Sequence, residues 1–245
     1  MISCLNIIGA HPGQGHDEQS RIMKTKKAVI IASGGMDSTT LLYDILNQGY
    51  EAYALSVDYG QRHSKELEFI RKTCKKLNVP HKVVDLSKVG KELLHKSALT
   101  SKKIKIPDSP YEEENMKLTV VPNRNMILLS LAVGYAISLG AKKVFYAAHA
   151  GDHAIYPDCR KDFVEAMKRA SLLADWEGVE VEAPYLDLDK TDIAIKGKGL
   201  GVDYSLTWTC YKGLKKACGK CGACRERLKA FQKAKMTDPI EYESR

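Results

Sequence analysis

The sequence predicts an α/β fold: a parallel five-stranded sheet with helices on both faces, plus a small metal-binding segment at the C-terminal end. Three observations carry that expectation. Short apolar runs ended by turn residues alternate with stretches of helical periodicity, the pattern of βαβ units around a parallel sheet. The first apolar run, residues 28–32, stops at a glycine-rich turn, Ser33-Gly34-Gly35-Met36-Asp37-Ser38, after which Leu41, Leu42, Ile45 and Leu46 recur at helical spacing. Four of the seven cysteines crowd between Cys210 and Cys224.

Composition bounds the rest. A chain of 245 residues with 44% hydrophobic and 28% charged residues suits one large globular domain with an appendage. No apolar run approaches the ~20 residues of a membrane span, and no basic stretch precedes the short apolar patch at residues 5–10. Neither a membrane anchor nor a secretory signal is expected, and the cytoplasm is the expected compartment. The net charge of +8 permits nucleic-acid contact, but the lysines are scattered, with local densities only at 24–27 and 212–220. A solvated basic surface or attraction for a small polyanion explains that charge equally well, and charge alone does not decide; no stable nucleic-acid partner is among the expected partners.

The strand, loop and helix around residues 28–46 are the centre of the chain. Such a junction points backbone N–H groups and a helix N-terminus at one spot, a seat for phosphate. Gly34 and Gly35 let the backbone approach an anion, and Ser33, Ser38 and Thr39 add hydroxyl donors. The stretch lacks both the Gly-Lys-Ser/Thr ending of a Walker A loop and the Gly-x-Gly-x-x-Gly of dinucleotide folds. An ordinary capped strand-to-helix turn is the plain alternative.

The remaining elements follow in order. Residues 51–57 predict a second strand, ending at Asp58-Tyr59-Gly60-Gln61-Arg62-His63; residues 64–77 predict a helix with Cys74 on its apolar face; residues 81–86 predict a third strand. Residues 87–119 break the rhythm, and their lysines, prolines and acidic run predict a mobile, solvated excursion, either a lid or a plain surface loop. Pro122 and Asn123 suit the entry of an apolar helix over 126–139, and residues 143–148 predict a fourth strand. Residues 149–160 then place many polar groups just past that strand, where ligands sit in open α/β sheets. A helix over 160–173, a strand over 178–183 and a helix opening at Asp189-Lys190-Thr191-Asp192 complete the domain. The expected division is a disordered leader over 1–24, an α/β domain over 25–205 and a metal-binding segment over 206–245.

The spacing Cys210-x7-Cys218-x2-Cys221-x2-Cys224 offers four soft thiolates within fifteen residues. That donor set suits one closed, structural, tetrahedral Zn2+ per chain, with iron–sulfur ligation and a redox Cys-x-x-Cys as other uses of such spacing.

The loop resembles the pyrophosphate-binding loop of the ATP pyrophosphatase (adenine nucleotide alpha hydrolase-like) family. With Asp58 to His63, Val121-Pro122-x-Arg124-Asn125, Tyr156-Pro157-Asp158-Cys159-Arg160, Lys190-Thr191 and Thr207-Trp208-Thr209-Cys210-Tyr211, the chain resembles the branch of that family formed by the 7-cyano-7-deazaguanine synthases. The match covers about residues 26–232. It departs at Met36, where leucine is usual, and at His149 to His153, where many relatives carry an Asn-Ala-x-Asp type of sequence.

The resemblance implies a ligase that joins 7-carboxy-7-deazaguanine and ammonia into a nitrile at the expense of ATP. Its implied cofactors are ATP with Mg2+ as co-substrate and structural zinc; its implied assembly is a homodimer. It implies nucleotide contacts from Ala32, Ser33, Gly34, Gly35, Met36, Asp37, Ser38, Thr39, Thr40, Leu41, Leu42 and Asp58. Asp37, Arg124 and Lys190 become the catalytic candidates. Asp152, Tyr156 and Asp158 become the substrate contacts, with Tyr156 or Trp208 as a platform for the purine. Cys210, Cys218, Cys221 and Cys224 hold the metal. The alternatives are a tRNA-thiolating enzyme of the same superfamily and a non-enzymatic zinc-ribbon or RNA-binding module.

Overall fold

A computed structural model describes residues 26–62, 64–108 and 114–243. The expected leader, His63 and part of the 87–119 excursion lie outside the described residues. Five strands form one sheet: β1 (Lys27–Ile31), β2 (Glu51–Asp58), β3 (His81–Asp85), β4 (Lys143–Phe145) and β5 (Glu180–Glu182). Their order is β3-β2-β1-β4-β5, and every pairing is parallel. This is the expected parallel sheet. The chain winds outward from β1 to β3, then crosses back to β4 on the other side of β1. Between β1 and β4 the winding therefore reverses, and the connections leaving these two paired strands run to helices on opposite faces of the sheet.

The alternation of β1 decides which face each residue serves. Val29 points to a core built with Leu129 and Val133 of α4 (Arg124–Leu139) and Val164 of α5 (Lys161–Leu173). Ala28 and Ile30 point to the opposite core, made with Leu41, Leu42 and Ile45 of α1 (Met36–Asn47), Ile70 and Cys74 of α2 (Lys65–Lys76), and Ile193 of α6 (Lys190–Gly199). Helices thus cover both faces. Cys74 is a core residue, as its helical spacing indicates.

Two expectations are corrected here. The run Met116–Leu139 is long and apolar enough by composition to cross a membrane, contrary to the reading that no run is. Folded, it comprises a 3-10 turn, a break at Pro122, and α4, whose Leu129 and Val133 lie in the core. The 87–119 excursion is also not simply solvated. It begins with α3 (Ser87–Leu93), and Leu94, Ala98, Leu99, Ile106 and Met116 are buried. These apolar residues follow neither a period of 2 nor one of 3.6, because each packs from an irregular segment, so periodicity does not find them.

The C-terminal segment adds α7 (Gly222–Lys233), which the sequence reading does not anticipate. Arg227 on α7 is fully buried and holds Asp238 through both carboxylate oxygens, at 2.8 and 2.9 Å, while also donating to Thr207 Oγ1 and the Tyr204 carbonyl. That bidentate pair ties the end of the chain back onto its approach to the cysteines.

Candidate active site

A cavity of about 230 Å3 opens at the carboxyl ends of β1, β2 and β4. It lies where the strand order reverses, the crevice in which open α/β sheets hold ligands. The turn after β1 supplies one wall. Gly34 takes φ +95°, and a Cβ there would lie 2.1 Å from the Glu66 carbonyl oxygen, so only glycine fits between the turn and α2. The Trp208 amide donates to the Gly34 carbonyl at 2.8 Å and pins the turn from the other side. Ser38 Oγ accepts from the Ser33 amide, and Ser33 Oγ accepts from the Gly35 amide. Thr39 Oγ1 and Thr209 Oγ1 are buried without a partner among the described residues. Free hydroxyls beside a helix N-terminus suit an anion.

The placements of the twelve nucleotide candidates differ. Ala32, Ser33, Gly35, Asp37 and Ser38 line the cavity, while Gly34 shapes the turn and Thr39 is fully buried outside the lining. Met36, Leu41 and Leu42 are fully buried in the core, and Thr40 Oγ1 is occupied by the Met36 carbonyl and the Tyr204 hydroxyl. Asp58 lies outside the lining; its Oδ1 accepts from the Gly60 amide and shapes the turn, while Ser56, Val57 and Tyr59 around it reach the cavity. A strand alternates faces and a helix turns its sides inward, so a contiguous motif never delivers all its residues to one ligand.

The catalytic candidates come together. Lys190, the first residue of α6, is 8% exposed, and its Nζ lies 2.6 Å from Glu226 Oε2 and 3.3 Å from Asp37 Oδ2. A lysine at a helix N-terminus opposes the helix dipole. The Asp189 capping box and the two facing carboxylates offset that. Burial lowers the Lys190 pKa, but Asp37 and Glu226 raise it further, so the ammonium stays charged. Burial in turn raises Glu226 against the pull of Lys190. Asp37 Oδ1 is buried with no partner among the described residues. His149 is 1% exposed, and its Nδ1 accepts from the Gly151 amide. Its other nitrogen therefore carries the proton and faces Asp152 Oδ2 at 3.6 Å and Asp37 Oδ2 at 3.8 Å.

Arg124 lines the cavity from the start of α4 and stands 5.8 Å over the Tyr156 ring. Of the substrate candidates, only Asp152 lines the cavity. Tyr156 is 4% exposed, its hydroxyl at 2.8 Å from Thr119 Oγ1, and it supports Arg124 from behind. Asp158 is spent on structure: its Oδ2 accepts from the Asn125 amide and caps α4. Trp208 stacks on Phe69 under the Lys65 ammonium and donates to the Cys210 carbonyl, so it belongs to the cysteine region and not to the cavity.

Glu66 and Glu226 also line the cavity, and sequence reasoning missed both. Glu66 sits in the first turn of α2, where an acid reads as dipole compensation. Glu226 stands two residues past the last cysteine, on a helix the periodicity does not announce. Burial pushes the Glu66 pKa up to about 7, against the pull of Arg124.

The four cysteines form a buried group whose sulfur atoms all lie within 4.8 Å of one another and could hold a metal ion. Amides of Cys218, Lys220 and Cys221 point at the Cys210 and Cys218 sulfurs at 3.3–3.4 Å. Amides so placed suit anionic thiolates.

The chain matches the family described as Queuosine biosynthesis protein QueC over residues 27–235. A protein of Caldicellulosiruptor saccharolyticus named 7-cyano-7-deazaguanine synthase is 64% identical over 217 residues, 89% of this chain and 96% of that protein. One of the same name from Methanoregula boonei is 59% identical over 217 residues, 89% of this chain and 99% of that one. Among solved structures, NMN synthetase from Francisella tularensis aligns with a TM-score of 0.49 at 13% identity, covering 87% of this chain and 79% of that one. On this match along nearly the whole described sequence, the chain belongs to the QueC family.

Proposed function

We infer that this chain is a 7-cyano-7-deazaguanine synthase, an ATP-dependent C–N ligase that converts 7-carboxy-7-deazaguanine and ammonia to the nitrile. The observation that carries the inference is the cavity itself, in which an anion-seating turn, a buried lysine and an arginine converge within a chain of this family. A carboxylate resists ammonia because it is already anionic and its oxygen leaves poorly. Transfer of an adenylyl group from ATP to that oxygen releases pyrophosphate and creates a good leaving group. Ammonia then forms the amide, expelling the nucleotide. A second activation of the amide oxygen, with loss of two protons from nitrogen, yields the nitrile.

The chain's residues divide that work. The turn at Ser33, Gly34, Gly35 and Ser38 seats the pyrophosphate. Lys190 and Arg124 neutralise charge on phosphate and carboxylate in the transition state. Three carboxylates, Asp37, Asp152 and Glu226, face one lysine here. Such an excess of negative charge repels a polyphosphate unless a cation lies between. The unpartnered Asp37 Oδ1 is the hard oxygen ligand that Mg2+ takes, and Mg2+ would supply charge neutralisation along the phosphates. The four thiolates suit Zn2+ in a closed structural role. A homodimer fits the exposed Leu173 and Trp176 at the end of α5.

The tRNA-thiolating alternative needs a reactive thiol. Cys159 lines the cavity but is 3% exposed, and burial raises its pKa far above the ordinary range. Incubation of purified protein with ATP, Mg2+, ammonium and 7-carboxy-7-deazaguanine, read by mass spectrometry, is expected to yield the nitrile, and Ser33→Ala or Asp37→Ala to abolish it. ATP turnover without nitrile would move the substrate to another acid or to tRNA.

A further inference from the structure

Four acidic side chains line the cavity: Asp37, Glu66, Asp152 and Glu226. Three of them are engaged. Asp37 and Glu226 pair with Lys190, and Asp152 faces the protonated nitrogen of His149. Glu66 differs, because its carboxylate has no hydrogen bond and no ion pair among the described residues. Arg124 lines the same cavity and attracts Glu66, yet the two do not close to an ion pair. Its backbone is nonetheless fixed, since the Glu66 carbonyl packs on Gly34. A half-buried carboxylate on the cavity wall without protein donors is open to donors from a ligand.

The cavity thus presents a cation and an anion that are held apart. The substrate has the opposite polarity: an anionic carboxylate on the five-membered ring and, at the far end of the six-membered ring, two parallel N–H donors. We propose that Glu66 is the residue that reads this guanine-type face, its two oxygens accepting from the ring N–H and the exocyclic amino group while Arg124 holds the substrate carboxylate. Two parallel bonds to a carboxylate form a strong, directional pair. The alternative acceptors are committed elsewhere, Asp158 to the Asn125 amide and Asp37 to Lys190. The proposal rests on the reading of the chain as a 7-cyano-7-deazaguanine synthase and deepens it by assigning the residue that selects the base.

The test compares 7-carboxy-7-deazaguanine with its analogue lacking the exocyclic amino group, at saturating ATP, on the full metal-loaded chain. A site built to bond a donor rejects the analogue without it, so the wild-type chain is expected to prefer the guanine form by about 100-fold in kcat/KM. Glu66→Gln should raise KM for the guanine form by about 30-fold, leave the analogue nearly unchanged, and leave KM for ATP unchanged. Glu66→Asp, which keeps the charge, should restore part of the preference and serves if Glu66→Gln does not fold. An equal loss on both substrates, a fall in kcat alone, or a rise in KM for ATP instead would overturn the assignment. Absence of nitrile from the wild-type chain with either substrate would instead overturn the functional reading, and this assignment with it.

Discussion

The two ends of the cavity are built on opposite principles. At the end near α6, the charges are gathered into pairs inside the protein with an acidic excess: Lys190 lies between Asp37 and Glu226, and His149 faces Asp37 and Asp152. At the end near α2 and α4, Glu66 and Arg124 share a cavity wall without touching. The first arrangement is preorganised and persists whether or not a ligand is present, which suits charge that develops during reaction. The second keeps its partners open, which suits recognition, because an unmatched group penalises every ligand that fails to match it. On the proposed reading the paired end serves the reaction and Glu66 serves selection of the base, with Arg124 between them.

Three substitutions probe that contrast. The largest effect is expected from Lys190→Met. It removes the cation that pairs with two buried carboxylates, so it should lower kcat/KM by about 1,000-fold and cost about 3–5 kcal/mol of stability. Steady-state kinetics and denaturant titration measure the two. A variant of full activity would show that the paired end is architecture alone. Next comes Gly34→Ala, at the contact that joins both ends. The Cβ meets the Glu66 carbonyl from a left-handed backbone, and a loss of about 3 kcal/mol is expected, seen as a fall in thermal midpoint and in nucleotide affinity. Unchanged stability would mean that the turn and α2 move apart freely.

The smallest effect is expected from Glu66→Gln, and it has the opposite sign. The folded pKa of about 7 lies above the ordinary carboxyl value of 4.5, so Glu66 favours the fold only while protonated. That contribution is complete below about pH 4.5 and is lost as pH rises through 7. The variant should match the wild-type chain at pH 4 and exceed it by about 2 kcal/mol at pH 8. Calorimetry across that range reads the difference, and a variant less stable at pH 8 would show that the carboxylate is already satisfied.

The sequence reveals those parts of the molecule whose physics is local. The central strand, the turn and α1 are legible because an apolar run, two glycines and a helical period stand side by side. The cysteines are legible by spacing alone. Lys190 is legible because a cation at a helix start runs against the dipole. Glu66 and Glu226 are not, since an acid on a helix is ordinary until tertiary packing removes its water. The same holds for Leu94, Ala98 and Leu99, which look like a solvated loop and instead form a wall. Asp158 shows the reverse error: a polar residue in a ligand-rich loop, it caps α4.

Glu66 touches the nucleotide turn through its backbone and the cavity through its side chain. For anyone redirecting the enzyme to other bases, this separates what is negotiable from what is not. The side chain at 66 can be randomised to accept new hydrogen-bonding faces, while Arg124, which holds the carboxylate common to every substrate, is kept. Proline or glycine at 66 must be left out of such a library, as must any change at 34. The useful search space is therefore a single side chain, bounded by one backbone contact and one retained cation.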